Sequence, residues 1–198
     1  MTYQYRNRKG DVYFLQAGNT RTGKPNYYFG RKLKGAPVQD IPQGYEVFES
    51  PERAQVFLRK QHASVIPEFE REIVVAEIMR SSSAEFPIVT VEDDSLVVYL
   101  PNRSGEQVDS LIRVLAGPLA FGSPRIQAAR EEMIQRSDYQ KMLRFQLVDD
   151  AERLYVVHRW CFRGSVDDWI WLDGPDDLSS LAKRFTPLLG SESFFDLI

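Results

Sequence analysis

The chain has few of the residues on which thiol, histidine and metal chemistry depends. Its 198 residues include one cysteine, Cys161, and two histidines, His62 and His158. A single cysteine cannot form an internal disulfide, and no stretch approaches the roughly 20 apolar residues of a membrane span. Residues 1–10 are polar and basic, without the apolar run of a secretory signal. We therefore expect a cytoplasmic protein with no membrane-embedded segment.

Common catalytic signatures are also missing. The sequence has no Walker-type phosphate loop, dinucleotide fingerprint, zinc-binding cysteine pair, HExxH motif or nucleophile elbow. This absence makes an enzyme the less favoured interpretation, and we predict no cofactor. His158 and Cys161 lie three residues apart on one predicted strand, so their side chains point to opposite faces. We predict that His158 is a hydrogen-bonded core histidine and that Cys161 is a small buried apolar residue.

The segment 139–172 has the clearest strand spacing and holds all three tryptophans. Two runs within it recur with a period of two: Leu143, Phe145 and Leu147, then Leu154, Val156, His158, Trp160 and Phe162. A third apolar run, Trp169–Leu172, follows a turn. These runs predict a three-stranded antiparallel meander that carries much of the core.

The order of the predicted elements favours an α+β fold. Antiparallel hairpins alternate with pairs of helices, and the C-terminal three-stranded meander packs with helices. We predict a basic, β-rich N-terminal module over residues 1–60 and an α+β body over residues 61–198. One continuous domain is the alternative.

Local signals mark further elements. Ser104 and Gln107 have the spacing of a capping box, which predicts a helix start, and Pro67 starts another helix. Val12–Gln16 and Tyr27–Lys32 predict a hairpin with a long tip. Ser50 and Pro51 resemble a helix cap and first turn, so we predict a helix over 51–60, with a strand over 55–58 as the alternative.

Charge is distributed unevenly along the chain. The net charge is −3, yet residues 1–35 hold eight basic side chains and one acid, a local balance of +7 that leaves −10 for the rest. A basic end on an acidic body favours a phosphate-rich or acidic partner for that end. The simpler interpretation is a solvated basic surface.

The best candidate site lies in this basic end. We predict that nucleic acid or an acidic protein contacts a face formed by Arg21, Lys24, Tyr28, Arg31, Lys32 and Lys34. Cations suit phosphates, and the interleaved rings of Tyr13, Tyr27 and Tyr28 suit bases. Nucleic acid is favoured narrowly, and packing of the tyrosines within a sheet is the structural alternative. The oligomeric state stays open.

Carboxylates give a second candidate. The turn after the first strand of the meander and the end of its third strand meet at one sheet edge. This edge would gather Asp149, Asp150, Asp173 and Asp176, enough oxygen ligands for Mg²⁺ or Ca²⁺ and a metal-dependent phosphoesterase. Ordinary turn and helix-start roles are the favoured interpretation of these acids.

Two resemblances add expectations. The first 60 residues or so resemble a family of uncharacterised bacterial proteins, which implies no activity. The motifs that carry this resemblance are Thr22-Gly23-Lys24-Pro25, Tyr28-Phe29, Ile41-Pro42-x-Gly44-Tyr45-Glu46 and Val56-Phe57-Leu58-Arg59. Tyr28-Phe29-Gly30-Arg31 resembles the aromatic-Gly-Arg centre of WGR domains, which accompany DNA-repair proteins. In this chain Phe29 stands in place of the tryptophan, and Lys32-Leu33 follows.

Overall fold

The polypeptide divides into two units, and each unit consists of two separate stretches of the sequence. A computed structural model describes residues 1–61, 63–117, 123–163 and 166–196. Unit 1 comprises Met1–His62 and Gln135–Asp138, and unit 2 comprises Ala63–Ile134 and Tyr139–Ile198. Unit 1 therefore includes a short segment from the region predicted to form the body.

Unit 1 is built from two antiparallel sheets. Four strands form the larger sheet: β1 (Gln4–Arg6), β2 (Val12–Asn19), β3 (Pro25–Gly30) and β4 (Ala36–Pro37). Strand β2 pairs with the other three. The smaller sheet consists of β5 (Tyr45–Glu49) and β6 (Val56–Lys60).

Two expectations for unit 1 need correction. The strands of the predicted hairpin continue through Asn19 and Pro25, so the tip is short and closed by a hydrogen bond from Thr20 N to Lys24 O of 2.8 Å. The predicted helix over 51–60 is wrong, and the alternative strand is correct. Cross-strand pairing of Tyr45–Glu49 with Val56–Lys60 overrides the local cap signal, and the backbone N–H of Ser50 donates a hydrogen bond of 2.9 Å to Gln55 O.

Unit 2 contains the described helices and the largest sheet. Its helices are α1 (Glu68–Ser81), α2 (Gly105–Ala116), α3 (Pro124–Gln135) and α4 (Leu178–Phe185). Its strands are β7 (Ile88–Glu92), β8 (Ser95–Pro101), β9 (Tyr139–Asp149), β10 (Leu154–Arg163) and β11 (Val166–Asp177). Two 3₁₀ helices, Thr186–Leu188 and Glu192–Asp196, follow α4. None of the described helices is long and apolar enough to cross a bilayer.

The sheet of unit 2 is an antiparallel meander in the order β11-β10-β9-β8-β7. The predicted three-stranded meander is present, and β7 and β8 extend it to five strands through pairing of β8 with β9. Antiparallel sheets and segregated helices confirm the predicted α+β fold class.

One face of this sheet forms the main core. Leu143, Phe145 and Val157 are fully buried there, together with Val74 and Ile78 of α1. Burying side chains of this size contributes about 1.5–3 kcal/mol each. Helix α4 packs on the same core through its own apolar residues. The core therefore lies between this face and the helices α1 and α4.

The predicted core face of β10 is wrong. Tyr155 and Val157 face the core, whereas His158 and Trp160 occupy the opposite face and are half-buried. Both faces of this strand carry large side chains, so the number of apolar residues on each face does not identify the face that packs on the core. Cys161 is a buried free thiol, as predicted.

Local capping accounts for two helix starts. Ser104 and Gln107 form the predicted capping box, with hydrogen bonds of 3.3 and 3.2 Å. Asp177 caps α4 by accepting a hydrogen bond from Ser180 N. The side chain of Ser180 first, and this backbone N–H second, hold the pKa of the Asp177 carboxyl below its usual range. A cap of this kind contributes about 1 kcal/mol.

Candidate functional site

The segment 31–35, which follows β3 and is called here the basic loop, is held by a buried glutamine. The Oε1 atom of Gln16 accepts hydrogen bonds of 2.7 Å from both Lys34 N and Gly35 N. Its Nε2 atom donates to Lys32 O at 3.0 Å. Because Gln16 is fully buried in β2, these three bonds tie the backbone of the loop to the sheet.

Two glycines allow the basic loop to approach the sheet closely. A Cβ atom on Gly30 would lie 2.5 Å from Nε2 of Gln16, and one on Gly35 would lie 2.4 Å from the backbone oxygen of Ala17. Both distances are too short for a carbon atom. The path of the loop therefore depends on glycine at each end.

The loop and the sheet enclose a shallow cavity of about 320 Å³. Its lining consists of Gln16, Tyr28, Gly30, Arg31, Lys32 and Lys34. Four of these, Tyr28, Arg31, Lys32 and Lys34, are among the predicted binding residues. The folded chain thus brings three cations and one aromatic ring to a single concave surface.

The other two predicted cations lie elsewhere. Arg21 and Lys24 are exposed at the hairpin tip, beyond the pair Asn19–Pro25, whereas the basic loop begins beside the pair Phe14–Gly30. Five residues of strand separate these pairs, roughly 17 Å at about 3.4 Å per residue. The tip and the loop therefore form two separate basic positions.

Arg31 is oriented by two neighbours. Its Nη2 atom lies 2.7 Å from Oδ2 of Asp11, and its Nε atom donates to the hydroxyl of Tyr13 at 3.3 Å. These contacts, the hydrogen bond to Tyr13 first, raise the pKa of Arg31. Lys32 and Lys34 are exposed and make no ion pair with any acid in the described ranges. The loop therefore carries one positioned cation and two that are open to solvent.

The three tyrosines have different roles. Tyr13 is buried, and Arg31 lies over its ring at 5.5 Å. Tyr27 packs edge-on against Tyr45, with ring centroids 6.3 Å apart. Only Tyr28 lines the cavity. Packing thus accounts for Tyr13 and Tyr27, and Tyr28 is the ring that a ligand in the cavity would meet.

The acidic edge is occupied by arginines and turn contacts. Oδ1 of Asp149 accepts hydrogen bonds from the backbone of the following turn, and Asp150 pairs with Arg153. Asp173 and Asp176 both pair with Arg184, at 2.9 and 2.8 Å. Across the described part of the chain, no group of three or more histidine, cysteine or acidic side chains is arranged to hold a metal ion.

His158 is not a hydrogen-bonded core histidine. Its Nδ1 atom is buried without a hydrogen-bond partner in the residues that the structure describes, and its cross-strand neighbours are Arg144 and Trp171. Burial lowers the pKa of His158, and the positive charge of Arg144 lowers it further. The imidazole is therefore neutral at neutral pH. The remaining histidine, His62, lies outside the described residues.

Gln16 belongs to the candidate site but was not predicted from the sequence. A glutamine between apolar residues of a strand carries no local signal of a loop 15 residues later. Its role depends on the pairing of β2 with β3, which brings it opposite Tyr28.

Comparison with family models, curated proteins and solved structures finds no significant match to this chain. The two resemblances drawn from short motifs therefore stay expectations.

Proposed function

We propose that unit 1 binds the phosphate backbone of nucleic acid through the basic loop. The observation that carries this proposal is the cavity in which Arg31, Lys32 and Lys34 surround Tyr28. Cations in fixed positions neutralise phosphates and release condensed counterions, which supplies most of the affinity in sequence-independent binding.

The anchoring of the loop favours a ligand with closely spaced negative charges. Gln16 fixes the backbone at Lys32, Lys34 and Gly35, so little backbone entropy is lost when a ligand binds. Lys32 and Lys34 have no acid to release first in the described chain. A polyanion therefore gains their attraction without breaking an internal ion pair.

The aromatic ring is what favours nucleic acid over an acidic protein. Tyr28 lies among the cations of the cavity, where a base or sugar attached to the bound phosphate can pack against it. Carboxylates of an acidic protein would use the cations alone. If nucleic acid does not bind, an acidic protein becomes the favoured partner.

The test is fluorescence anisotropy of labelled single-stranded and duplex DNA and RNA with the full chain over a salt series. A triple variant, Arg31→Ala with Lys32→Ala and Lys34→Ala, should lose most of the binding. The slope of log affinity against log salt should become shallower by roughly 2–3, about one unit for each lost phosphate contact.

A matched control variant has the same net charge as the triple variant of the basic loop. Arg6→Ala with Arg53→Ala and Lys60→Ala removes three exposed cations of unit 1 that neither line the cavity nor belong to the predicted binding residues. It should bind more tightly than the loop variant at every salt concentration. Equal losses in the two variants, or no binding by the parent at low salt, would refute the proposal.

A further inference from the structure

The second face of the five-stranded sheet carries a row of side chains that the proposed function does not use. Successive cross-strand partners place five residues side by side, one from each strand: Trp171, His158, Arg144, Val97 and Thr90. Cross-strand partners project from the same face of a sheet. This face is opposite to the one that packs on α1 and α4.

Trp171 is exposed at the edge of this face. Its exposed fraction is 56% although it is one of the largest apolar side chains. Leaving an indole in water forgoes a large part of the stabilisation that its burial would provide. The neighbouring ring of Trp169 is half-buried, and it packs edge-on against Trp160 with centroids 5.0 Å apart.

Arg144 lies next to these rings without an acceptor. Its guanidinium carbon is 4.8 Å from the centroid of Trp169. Its Nε atom is buried, and within the described ranges the side chain makes no hydrogen bond or ion pair. Nδ1 of His158, its cross-strand neighbour, is likewise buried and unbonded. Two adjacent polar groups therefore lack partners on one surface.

A half-buried guanidinium without a hydrogen-bond acceptor is unfavourable unless a ligand supplies that acceptor. Burial lowers the pKa of Arg144, and the attraction of Asp94 and Asp168 opposes this shift without forming an ion pair to it in the described chain. An anion at this position would restore the charge–charge stabilisation that the protein itself leaves incomplete.

Trp171 and Arg144 are separated by a single strand. Neighbouring strands lie about 4.8 Å apart, so the two backbone positions are roughly 10 Å from each other. A ligand that spans them needs a flat aromatic surface for the indole and a negative charge for the guanidinium. Unpaired nucleotides combine both, whereas a duplex hides the faces of its bases.

We propose that this face binds single-stranded nucleic acid, with Trp171 stacking on an unpaired base and Arg144 contacting a phosphate. The site uses residues of unit 2 alone. It therefore stands or falls independently of the basic loop of unit 1.

The experiment measures binding of the full-length protein to a labelled strand of about 12 deoxythymidines and to a duplex of equal length. Trp171→Ala should weaken single-strand binding by roughly tenfold, since each stacked base contributes about 1–3 kcal/mol. Duplex binding should stay unchanged. Trp171→Phe, which keeps an aromatic face, should recover most of the single-strand affinity.

Arg144→Gln tests the phosphate contact separately. It should make the salt slope for the single strand shallower by about one unit, whereas Trp171→Ala should leave that slope unchanged. Quenching of the intrinsic tryptophan fluorescence of the parent by the unlabelled strand provides a readout that needs no variant.

Phe69→Ala is the matched control, because Phe69 of α1 has a similar exposed fraction, 59%. Single-strand binding that is equal in Trp171→Ala and the parent would overturn the proposal. Equal weakening by Phe69→Ala would also overturn it, and so would quenching by a neutral oligosaccharide in place of the nucleic acid. The triple variant of the basic loop reports on the proposed function alone, so the two failures are distinguishable.

Discussion

The arginines of unit 2 and the cations of the basic loop differ in how they are paired. Three arginines of unit 2 each contact two carboxylates: Arg130 with Glu85 and Asp109, Arg153 with Glu70 and Asp150, and Arg184 with Asp173 and Asp176. In the basic loop only Arg31 has an acid, Asp11, and Lys32 and Lys34 have none among the described residues.

This difference shows why local charge is a poor guide to a site on its own. The acidic body holds a surplus of carboxylates, but at the predicted metal edge Asp150, Asp173 and Asp176 pair with arginines, and Asp149 accepts hydrogen bonds from the backbone of a turn. In the basic end Arg8, Lys9 and Arg31 are paired with acids, whereas Lys32 and Lys34 of the basic loop stay open to solvent. Charge that is already paired contributes to stability, and unpaired charge is open to binding.

The largest effect is expected at Glu70, which is buried under Arg153 and Tyr155. The hydroxyl of Tyr155 donates to Glu70, and burial, followed by this bond, raises the pKa of Tyr155. Glu70→Ala would leave the buried Tyr155 hydroxyl without its acceptor and Arg153 with only the exposed carboxylate of Asp150, so the free energy of unfolding should fall by about 3 kcal/mol. Urea denaturation measures it. Glu68→Ala, which breaks an exposed pair with Arg71 in the same helix, should cost less than about 0.5 kcal/mol.

The second largest loss of stability is expected on replacing Arg130. Its Nε atom lies 2.6 Å from Asp109 of α2, and its Nη1 atom lies 2.7 Å from Glu85. Arg130→Ala should lower the free energy of unfolding by about 2 kcal/mol, because two partly buried carboxylates lose their donor. Arg130→Lys should recover only part of this, since an ammonium cannot form two parallel hydrogen bonds. Full recovery by lysine would contradict the bidentate role.

At His158 we expect a smaller effect on the free energy of unfolding, and this effect depends on pH. Its pKa is lowered in the folded protein, so as pH falls below about 6.5 the unfolded chain takes up this proton first. The free energy of unfolding should therefore decrease with falling pH until the folded protein is protonated as well. In His158→Asn the dependence should be weaker in that range. An unchanged profile would show that the imidazole is not desolvated.

Arg184 pairs with acids at an exposed edge, so a weak effect is expected there. Its side chain is 46% exposed, and Asp173 and Asp176 are exposed to a similar degree. Arg184→Ala should lower the free energy of unfolding by no more than about 1 kcal/mol, and the difference should shrink as salt is added. If Arg184→Ala lowered the free energy of unfolding as much as Glu70→Ala does, the expected difference between buried and exposed ion pairs would be wrong.

The smallest change in stability is expected in the basic loop. Lys32→Ala with Lys34→Ala removes no ion pair within the described residues, so the free energy of unfolding should stay within about 0.5 kcal/mol of the parent. Thermal denaturation in parallel with the binding assay checks this. A marked loss would mean that the lysines stabilise the fold, and the contrast with the arginines of unit 2 would disappear.

Local signals in the sequence were enough to predict the elements that depend on them. The capping box at Ser104 and Gln107 involves neighbouring residues, and the meander follows from the spacing of Leu143, Phe145 and Leu147. The strand over 56–60 depends on pairing with 45–49, so the helix-like signal at Ser50 was misleading. The face of β10 that packs on α1 is a tertiary property as well.

The candidate site was predictable in part for the same reason. Arg31, Lys32 and Lys34 are close in sequence, so their clustering follows from composition alone. Their support by Gln16 and the separate position of Arg21 at the hairpin tip follow from strand register, which a charge count does not contain. The unsatisfied Arg144 is recognisable only when its neighbours across the sheet are known.

The segment Gln135–Asp138 has a consequence for biosynthesis. Lys9 pairs with Asp138, and an Arg8 nitrogen lies 3.5 Å from the backbone oxygen of Ser137, so unit 1 acquires contacts from a point far along the chain. Ribosomes release the chain from its N-terminus at about 5–20 residues per second. The first unit to emerge therefore cannot complete its own set of contacts until α1, the β7–β8 hairpin, α2 and α3 have left the exit tunnel.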